Sequence, residues 1–85
     1  MKLKVNRGFI IQRVNKTIKV FDSENSELLS FNPTATFIFE KIKKGIDSSK
    51  IIKNLEEKYN IKSDLARKDF EDLTAFLIQK GILKK

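Results

Sequence analysis

Hydrophobic and polar residues in the N-terminal part of the chain follow the pattern of short strands. The segments "GFIIQRV" at 8–14 and "TIKVFD" at 17–22 are rich in β-branched and aromatic residues, which favour strands, and "NK" at 15–16 separates them as a turn. "DSENSE" at 22–27 has the Asp, Ser and Asn typical of a second turn, and "ELLSF" at 27–31 follows as a third strand. The pattern predicts a three-stranded antiparallel meander.

The third strand leads into the first predicted helix with no linker between them. The side-chain oxygen of Asn32 can accept a hydrogen bond from a backbone N–H of the first turn, and Pro33 suits the first helical position because no donor is needed there. The helix runs to about Lys44 and ends at Gly45, a residue that tolerates positive φ. Its predicted buried face consists of Ala35, Ile38, Phe39 and Ile42.

Two more amphipathic helices follow. Asp47 or Ser48 is the predicted N-cap of the second helix, which runs to about Tyr59. Ser63 or Asp64 is the predicted N-cap of the third helix, which ends at about residue 80. The apolar sides of these helices comprise Ile51, Ile52, Leu55 and Tyr59 in the second and Ala66, Phe70, Leu73 and Leu77 in the third. The order of elements predicts a single α+β domain over residues 1–85.

The composition removes most catalytic chemistry. The chain has no Cys and no His, which excludes thiol nucleophiles, disulfides, imidazole bases and zinc sites built on these residues. It also has no Gly-rich phosphate loop. We therefore expect no enzymatic activity, no cofactor and no metal site. Because no segment resembles a signal peptide or a membrane span, we expect a cytoplasmic protein without a membrane partner.

Three stretches resemble one known family. "FNPTATFIFE" at 31–40 is similar to that family's Leu-Asn-x-Thr-small-x-x-Ile-Trp segment, and "DSSKIIKNLEEKY" at 47–59 to its second helix. "DFEDLTAFLIQKGIL" at 69–83 is similar to its closing helix, which ends in Gly-Leu-Leu. The chain thus resembles the PqqD-like family, named for a pyrroloquinoline quinone biosynthesis protein. Phe39 in place of the usual Trp and Pro33 at a position that is often acidic are departures from the pattern.

The resemblance implies a fold, a role and two kinds of partner. Members of the family are winged helix-turn-helix domains that bind the leader segment of a ribosomally synthesised, post-translationally modified peptide. They present it to a maturation enzyme without being catalytic themselves. Some stand-alone members serve radical SAM enzymes and others the leader peptidase of lasso-peptide systems. The turn in "DSENSELLSFN" is similar to the lasso type, and both pathways stay open at this point.

The predicted binding site combines a strand edge with a helix flank. The third strand has a hairpin partner on one side only, so its other edge is a template for an extended peptide. On a helical wheel, an apolar and acidic stripe lies beside the core face of the third helix, and its acids could pair with a basic leader residue. The residues of this predicted peptide-binding site are Glu27, Leu28, Leu29, Ser30, Phe31, Leu65, Asp69, Asp72, Leu73 and Phe76.

A winged-helix DNA-binding protein is the alternative function. The chain carries 18 Lys+Arg against 11 Asp+Glu, a formal net charge of +7, which attracts polyanions and acidic peptides alike. The third helix is a poor recognition helix because acids are mixed with its basic residues. The better candidate is the second helix, with Lys50, Lys53, Asn54 and Lys58. The sequence leaves the oligomeric state open, because a free strand edge can also pair with another copy.

Overall fold

The N-terminal part of the chain forms an antiparallel sheet. The computed structural model describes residues 2–85. Its strands in this part are β1 (Lys4–Val5), β2 (Phe9–Val14), β3 (Thr17–Asp22) and β4 (Glu27–Ser30). The last three pair in the order β2-β3-β4, with both pairings antiparallel. This confirms the predicted three-stranded meander.

Three helices follow β4, as predicted. They are α1 (Pro33–Lys43), α2 (Ser48–Tyr59) and α3 (Ser63–Gln79). The Oδ1 atom of Asn32 accepts a hydrogen bond from the backbone N–H of Ala35 at 2.8 Å and caps α1. Gly45, just beyond α1, has a φ of +79°, the left-handed conformation expected there. The predicted ends of α1 are therefore correct.

The predicted N-cap of α3 is wrong. Lys62 occupies the N-cap position and makes no side-chain hydrogen bond to the first turn. Ser63 and Asp64 lie one and two positions inside the helix, and the Ser63 hydroxyl instead lies 3.4 Å from the Glu56 carboxylate of α2. Asp64 in the first turn still interacts favourably with the positive end of the helix dipole.

The two ends of the described chain pair with each other. A final strand, β5 (Leu83–Lys84), runs antiparallel to β1, and the N–H of Asn6 extends this ribbon by donating to Ile82 C=O at 2.8 Å. Leu3, Ile82 and Leu83 are all buried. The ribbon was not predicted from the sequence, because each of its strands is two residues long and shows no alternation.

The core lies between the inner face of the sheet and the helices. Phe31 and Phe39 meet edge to face with ring centroids 5.3 Å apart. Thr36 and Thr74 are buried helical residues that the sequence pattern does not place in the core. The fully buried apolar side chains include Val20, Ile38, Phe39, Ile51, Leu55, Leu77, Ile82 and Leu83.

Three residues predicted on the apolar faces of the helices are only half-buried, namely Ala35 of α1, Tyr59 of α2 and Leu73 of α3. The first and the last of these share a position at one side of the core. Both pack against the core, and both also line an open groove between α1 and α3. The predicted apolar stripes of α1 and α3 therefore face the core as expected, but each includes one residue that lies at the groove and is only partly covered.

Thr36 joins α1 to the sheet. Its Oγ1 accepts a hydrogen bond from the backbone N–H of Ile18 at 3.2 Å in a buried environment. Ile18 is the β3 residue whose C=O accepts from the N–H of Phe31. A single β3 residue therefore anchors both the end of β4 and the first turn of α1.

Replacing Thr36 by Val is expected to lower the free energy of unfolding by about 1–3 kcal/mol, because a buried backbone N–H loses its acceptor while side-chain volume is kept. Thr36→Ser is the matched control, since it keeps the oxygen. Denaturant unfolding of the three proteins measures the effect. A Thr36→Val variant as stable as wild type would show that the hydrogen bond contributes nothing.

Asp22 organises the turn between β3 and β4. Its Oδ2 accepts from the side-chain amide of Asn25 at 2.7 Å, and its Oδ1 accepts from the backbone N–H groups of Asn25 at 3.2 Å and Glu24 at 3.1 Å. Hydrogen bonding to the Asn25 side chain is the main cause that holds the pKa of Asp22 below its ordinary value. The folded turn thus stabilises the ionised form of the Asp22 carboxylate.

This lowered pKa predicts a dependence of stability on pH. The contribution of ionised Asp22 is complete above the ordinary pKa of about 3.9 and is lost as the pH falls through the lower pKa of the folded state. Asp22→Asn keeps an acceptor oxygen but does not titrate. We expect the Tm difference between wild type and Asp22→Asn, measured by circular dichroism, to be constant near neutral pH and to shrink below about pH 4. A difference that stays the same from neutral pH down to the acid unfolding of the protein would contradict this.

Candidate functional site

One side of β4 is free. On its other side it pairs with β3, with Leu29 opposite Val20 and Ser30 opposite Lys19. Within residues 2–85, no strand pairs with the second side of β4. Its outward backbone groups are therefore available to another extended chain.

The hydrogen-bond register shows which β4 residues offer those groups. The N–H of Phe31 donates to Ile18 C=O at 3.0 Å. In an antiparallel pair, every second residue bonds to the partner strand and the residues between them point their N–H and C=O away. Leu29 therefore faces β3, and Leu28 and Ser30 face the free edge. The sequence predicted a free edge of five residues, 27–31. Only Leu28 and Ser30 offer outward backbone groups, and the N–H of Phe31 is used inside the sheet.

A groove of about 450 Å³ lies next to the end of β4, between α1 and α3. Its apolar surface comes from both helices, with Ile38 fully buried and Phe76 43% exposed at the side. The lining residues are Asn32, Thr34, Ala35, Ile38, Asp69, Asp72, Leu73 and Phe76. The groove thus combines a hydrophobic floor with polar and acidic groups.

The predicted helix residues are placed in two different ways. The structure brings Asp69, Asp72, Leu73 and Phe76 together in the groove. Leu65, on the same stripe of α3, is 48% exposed and is not among the groove residues. The predicted strand residues 27–31 form the neighbouring edge rather than the groove wall.

Sequence analysis missed the contribution of α1 to the groove. Thr34 and Ala35 line it from the first turn of α1, next to the N-cap Asn32. A helical wheel shows that these residues flank the core stripe. It does not show that this flank faces α3, which depends on how the helices pack.

The two ends of the site differ in charge. Near Asn32 the groove contains the half-buried Asp69 and the exposed Asp72, whose Oδ2 lies 3.1 Å from the Lys68 ammonium. At the opposite end, the ammonium of Lys80 lies 3.2 Å from a carboxylate oxygen of Glu27. The contact between Lys80 and Glu27 ties the start of β4 to the end of α3.

The basic surface proposed for DNA lies on α2. Lys50, Lys53 and Lys58 are exposed there, and Asn54 is half-buried. The Lys58 ammonium lies 5.4 Å from the ring centroid of Phe37 and 5.8 Å from that of Tyr59. Packing of a cation on aromatic rings explains the position of Lys58 without a nucleic acid.

In the described part of the chain, no group of three or more His, Cys, Asp or Glu side chains is placed to hold a metal ion. None of the helices between residues 2 and 85 is long and apolar enough to cross a membrane.

Two solved structures share this fold. One is described as "TbiB1 in Complex with the TbiA(beta) Leader Peptide"; it superposes with a TM-score of 0.88, is 13% identical, and the match covers 99% of this chain and 95% of that chain. The other is described as "Lasso peptide synthetase B1 complexed with the leader peptide", with a TM-score of 0.91, 16% identity and coverage of 100% of both chains. At these identities the similarity shows the fold. No curated protein matches the chain.

A family model matches the chain and confirms the family resemblance that the sequence motifs indicated. The model of coenzyme PQQ synthesis protein D (PqqD) matches residues 19–83. This range includes most of β3, all of β4, the three helices and every residue that lines the groove. The chain belongs to the PqqD family.

Proposed function

We propose that this protein binds the leader segment of a ribosomally synthesised precursor peptide and presents it to a maturation enzyme, without catalysing a reaction itself. The observation that carries the proposal is the free edge of β4 next to the groove between α1 and α3. An extended peptide gains affinity from main-chain bonds to such an edge and specificity from pockets for alternate side chains. Both similar structures were solved with leader peptides, which supports this function.

In the proposed complex, the backbone and the side chains of the leader contact different residues. The outward N–H and C=O groups of Leu28 and Ser30 bond to the leader backbone. An apolar leader side chain enters the groove against Leu73 and Phe76, and a basic leader residue pairs with the acids of α3. Leu65 contacts only a leader that extends beyond the groove. The other strand residues, Glu27, Leu29 and Phe31, hold the edge in place from within the sheet and from its inner side.

The proposed partner is a leader peptidase or a radical SAM enzyme. The lasso peptide synthetase B1 structure favours the leader peptidase of a lasso-type system. We place the encounter in the cytoplasm, because ribosomal precursor peptides are made there. A DNA-binding role is less well supported, since the exposed part of α3 mixes Arg67 and Lys68 with Asp64, Glu71 and Asp72, and acids repel phosphates.

The first test removes one outward donor of the edge. Leu28→Pro deletes an N–H that faces away from β3, so the sheet should keep its internal ladder. We expect binding of a synthetic leader, taken from the short open reading frames that flank this gene, to weaken by about 1–3 kcal/mol, because a leader carbonyl loses its donor. Isothermal titration calorimetry measures the affinity.

Leu28→Ala is the matched control, because it removes the same 56% exposed side chain but keeps the donor. It should bind the leader like wild type. Leu29→Pro is a poor probe of the site, since the donor it removes faces β3 and the sheet itself would be damaged. Equal affinities of folded Leu28→Pro and wild type would exclude strand addition at this edge.

The second test concerns the groove. Phe76→Asp places a charge against the apolar wall, and we expect leader affinity to fall by about 2 kcal/mol or more because that charge is desolvated in the complex. Leu65→Asp makes the same type of change on the same stripe of α3 but outside the groove. It should have a much smaller effect in fluorescence anisotropy titrations of the labelled leader. A loss that is equal for both variants would mean that the contact surface is not the groove.

A further inference from the structure

A second cleft lies at the Glu27 end of β4. It has a volume of about 630 Å³ and is formed by the β1–β5 ribbon, the start of β2, the turn after β3 and the C-terminal end of α3. Four of its lining residues are basic, namely Lys4, Arg7, Lys80 and Lys84. Two are acidic, Asp22 and Glu24.

The charges of this cleft are not balanced internally. Lys4, Arg7 and Lys84 are exposed, and none of the three forms an ion pair with another residue in the range 2–85. Lys4 and Lys84 stand opposite each other in the β1–β5 ribbon, so two like charges are held side by side. The Asp22 carboxylate already accepts three hydrogen bonds within its own turn. With four basic and two acidic residues, the cleft therefore carries an excess of positive charge, and three of its basic side chains form no ion pair in the described part of the chain.

Lys80 connects this cleft to the groove. Its side chain lines the cleft, and its ammonium lies 3.2 Å from the Glu27 carboxylate at the start of β4. The same ammonium lies 5.7 Å from the ring centroid of Phe76, which lines the groove. The basic cleft therefore lies next to the Glu27 end of β4, and the acids Asp69 and Asp72 lie toward the Ser30 end.

We propose that the cleft binds carboxylates of the leader peptide that lie beyond the segment paired with β4. This inference rests on the proposed leader-binding function. Because the whole sheet is antiparallel, an added strand of the same kind runs opposite to β4 and places its C-terminal end beside Glu27. The acidic residues of the leader thus follow its strand-forming segment, and a basic residue near Asp69 precedes it. Opposite charges at the two ends set the direction in which the leader binds.

The first experiment tests the cleft without the leader. Hexaglutamate is titrated into the labelled protein at low salt and followed by backbone amide NMR. We expect saturable shifts at Lys4, Arg7 and Lys84. The double variant Lys4→Glu/Arg7→Glu should lose them, because it reverses two of the unpaired charges on exposed positions.

Lys50→Glu/Lys53→Glu is the matched control, since it changes net charge by the same amount on α2, away from the cleft. Its shifts at Lys84 should equal those of wild type. Shifts centred on α2, or a response of the cleft that is reduced equally in both double variants, would show only general attraction to a basic protein and would overturn the proposal.

The second experiment uses the same synthetic leader as the calorimetric test, with the carboxylates after its strand-forming segment replaced by amides. Each exposed charge pair contributes little, so we expect a loss of affinity of about three- to tenfold for wild type and almost none for Lys4→Glu/Arg7→Glu. A leader that has no carboxylate there, or equal affinities of the two peptides, would overturn the inference.

The outcomes also separate this inference from the proposed function. If Leu28→Pro weakens leader binding while the cleft variant and the amide peptide have no effect, the leader-binding function stands and the cleft proposal fails. If wild type does not bind the leader, the proposed function fails and the cleft loses its leader ligand with it. Hexaglutamate shifts in that case report only an affinity of the cleft for acidic peptides.

Discussion

The direct passage from β4 into α1 is the constraint on which the rest of the structure depends. Only Phe31 and Asn32 separate the two elements. Phe31 is buried against Phe39, and Asn32 caps the helix, so neither residue is free to act as a linker. The chain leaves the sheet at once, and within residues 2–85 the one later strand, β5, pairs with β1 and not with β4. The free edge is thus a consequence of the connection.

The same connection places the groove. Because α1 begins where β4 ends, the first turn of α1 lies at the end of the free edge, and α3 packs on the other side to close the groove. Exposed edges usually carry a risk of unwanted pairing, which proteins limit by keeping them short or charged. β4 has four residues and begins with a Glu that is paired to Lys80. A short edge beside a groove favours an extended chain that both pairs with β4 and places a side chain in the groove.

A domain of 85 residues buries a limited fraction of its surface, so individual polar contacts matter for its stability. The hydrogen bond between Ile18 and Thr36 and the pairing of the chain ends connect parts that are distant in sequence. The Asn25 amide and Asp22 carboxylate order the turn that leads into β4. The contacts of Thr36 and Asp22 anchor the two ends of the edge strand, and an ordered strand loses less entropy than a flexible one when another chain pairs with it.

The sequence by itself determined the elements, their order and most of the core. Alternation, turn residues, the Asn32 cap and the glycine after α1 act over a few residues, so they can be recognised locally. The motifs of the family also led to the correct fold, and the helical wheel of α3 led to the inclusion of this helix in the candidate site. The exact N-terminus of α3 was predicted wrongly, because Ser63 and Asp64 are both good capping residues and local preference cannot choose between neighbouring positions.

Only the tertiary structure decided which surfaces come together. The pairing of Val5 with Leu83 joins two strands too short to be recognised, and their distance along the chain hides the contact. Helix packing also decides which residues line the groove. Thr34 and Ala35 line it because α3 packs beside them, whereas Leu65 of α3 lies outside it. Which backbone groups of β4 point outward depends on its register with β3, because a shift by one residue would exchange the inward and outward sets. Local sequence patterns predict the strands and helices, whereas helix packing and strand register determine which residues form the candidate site.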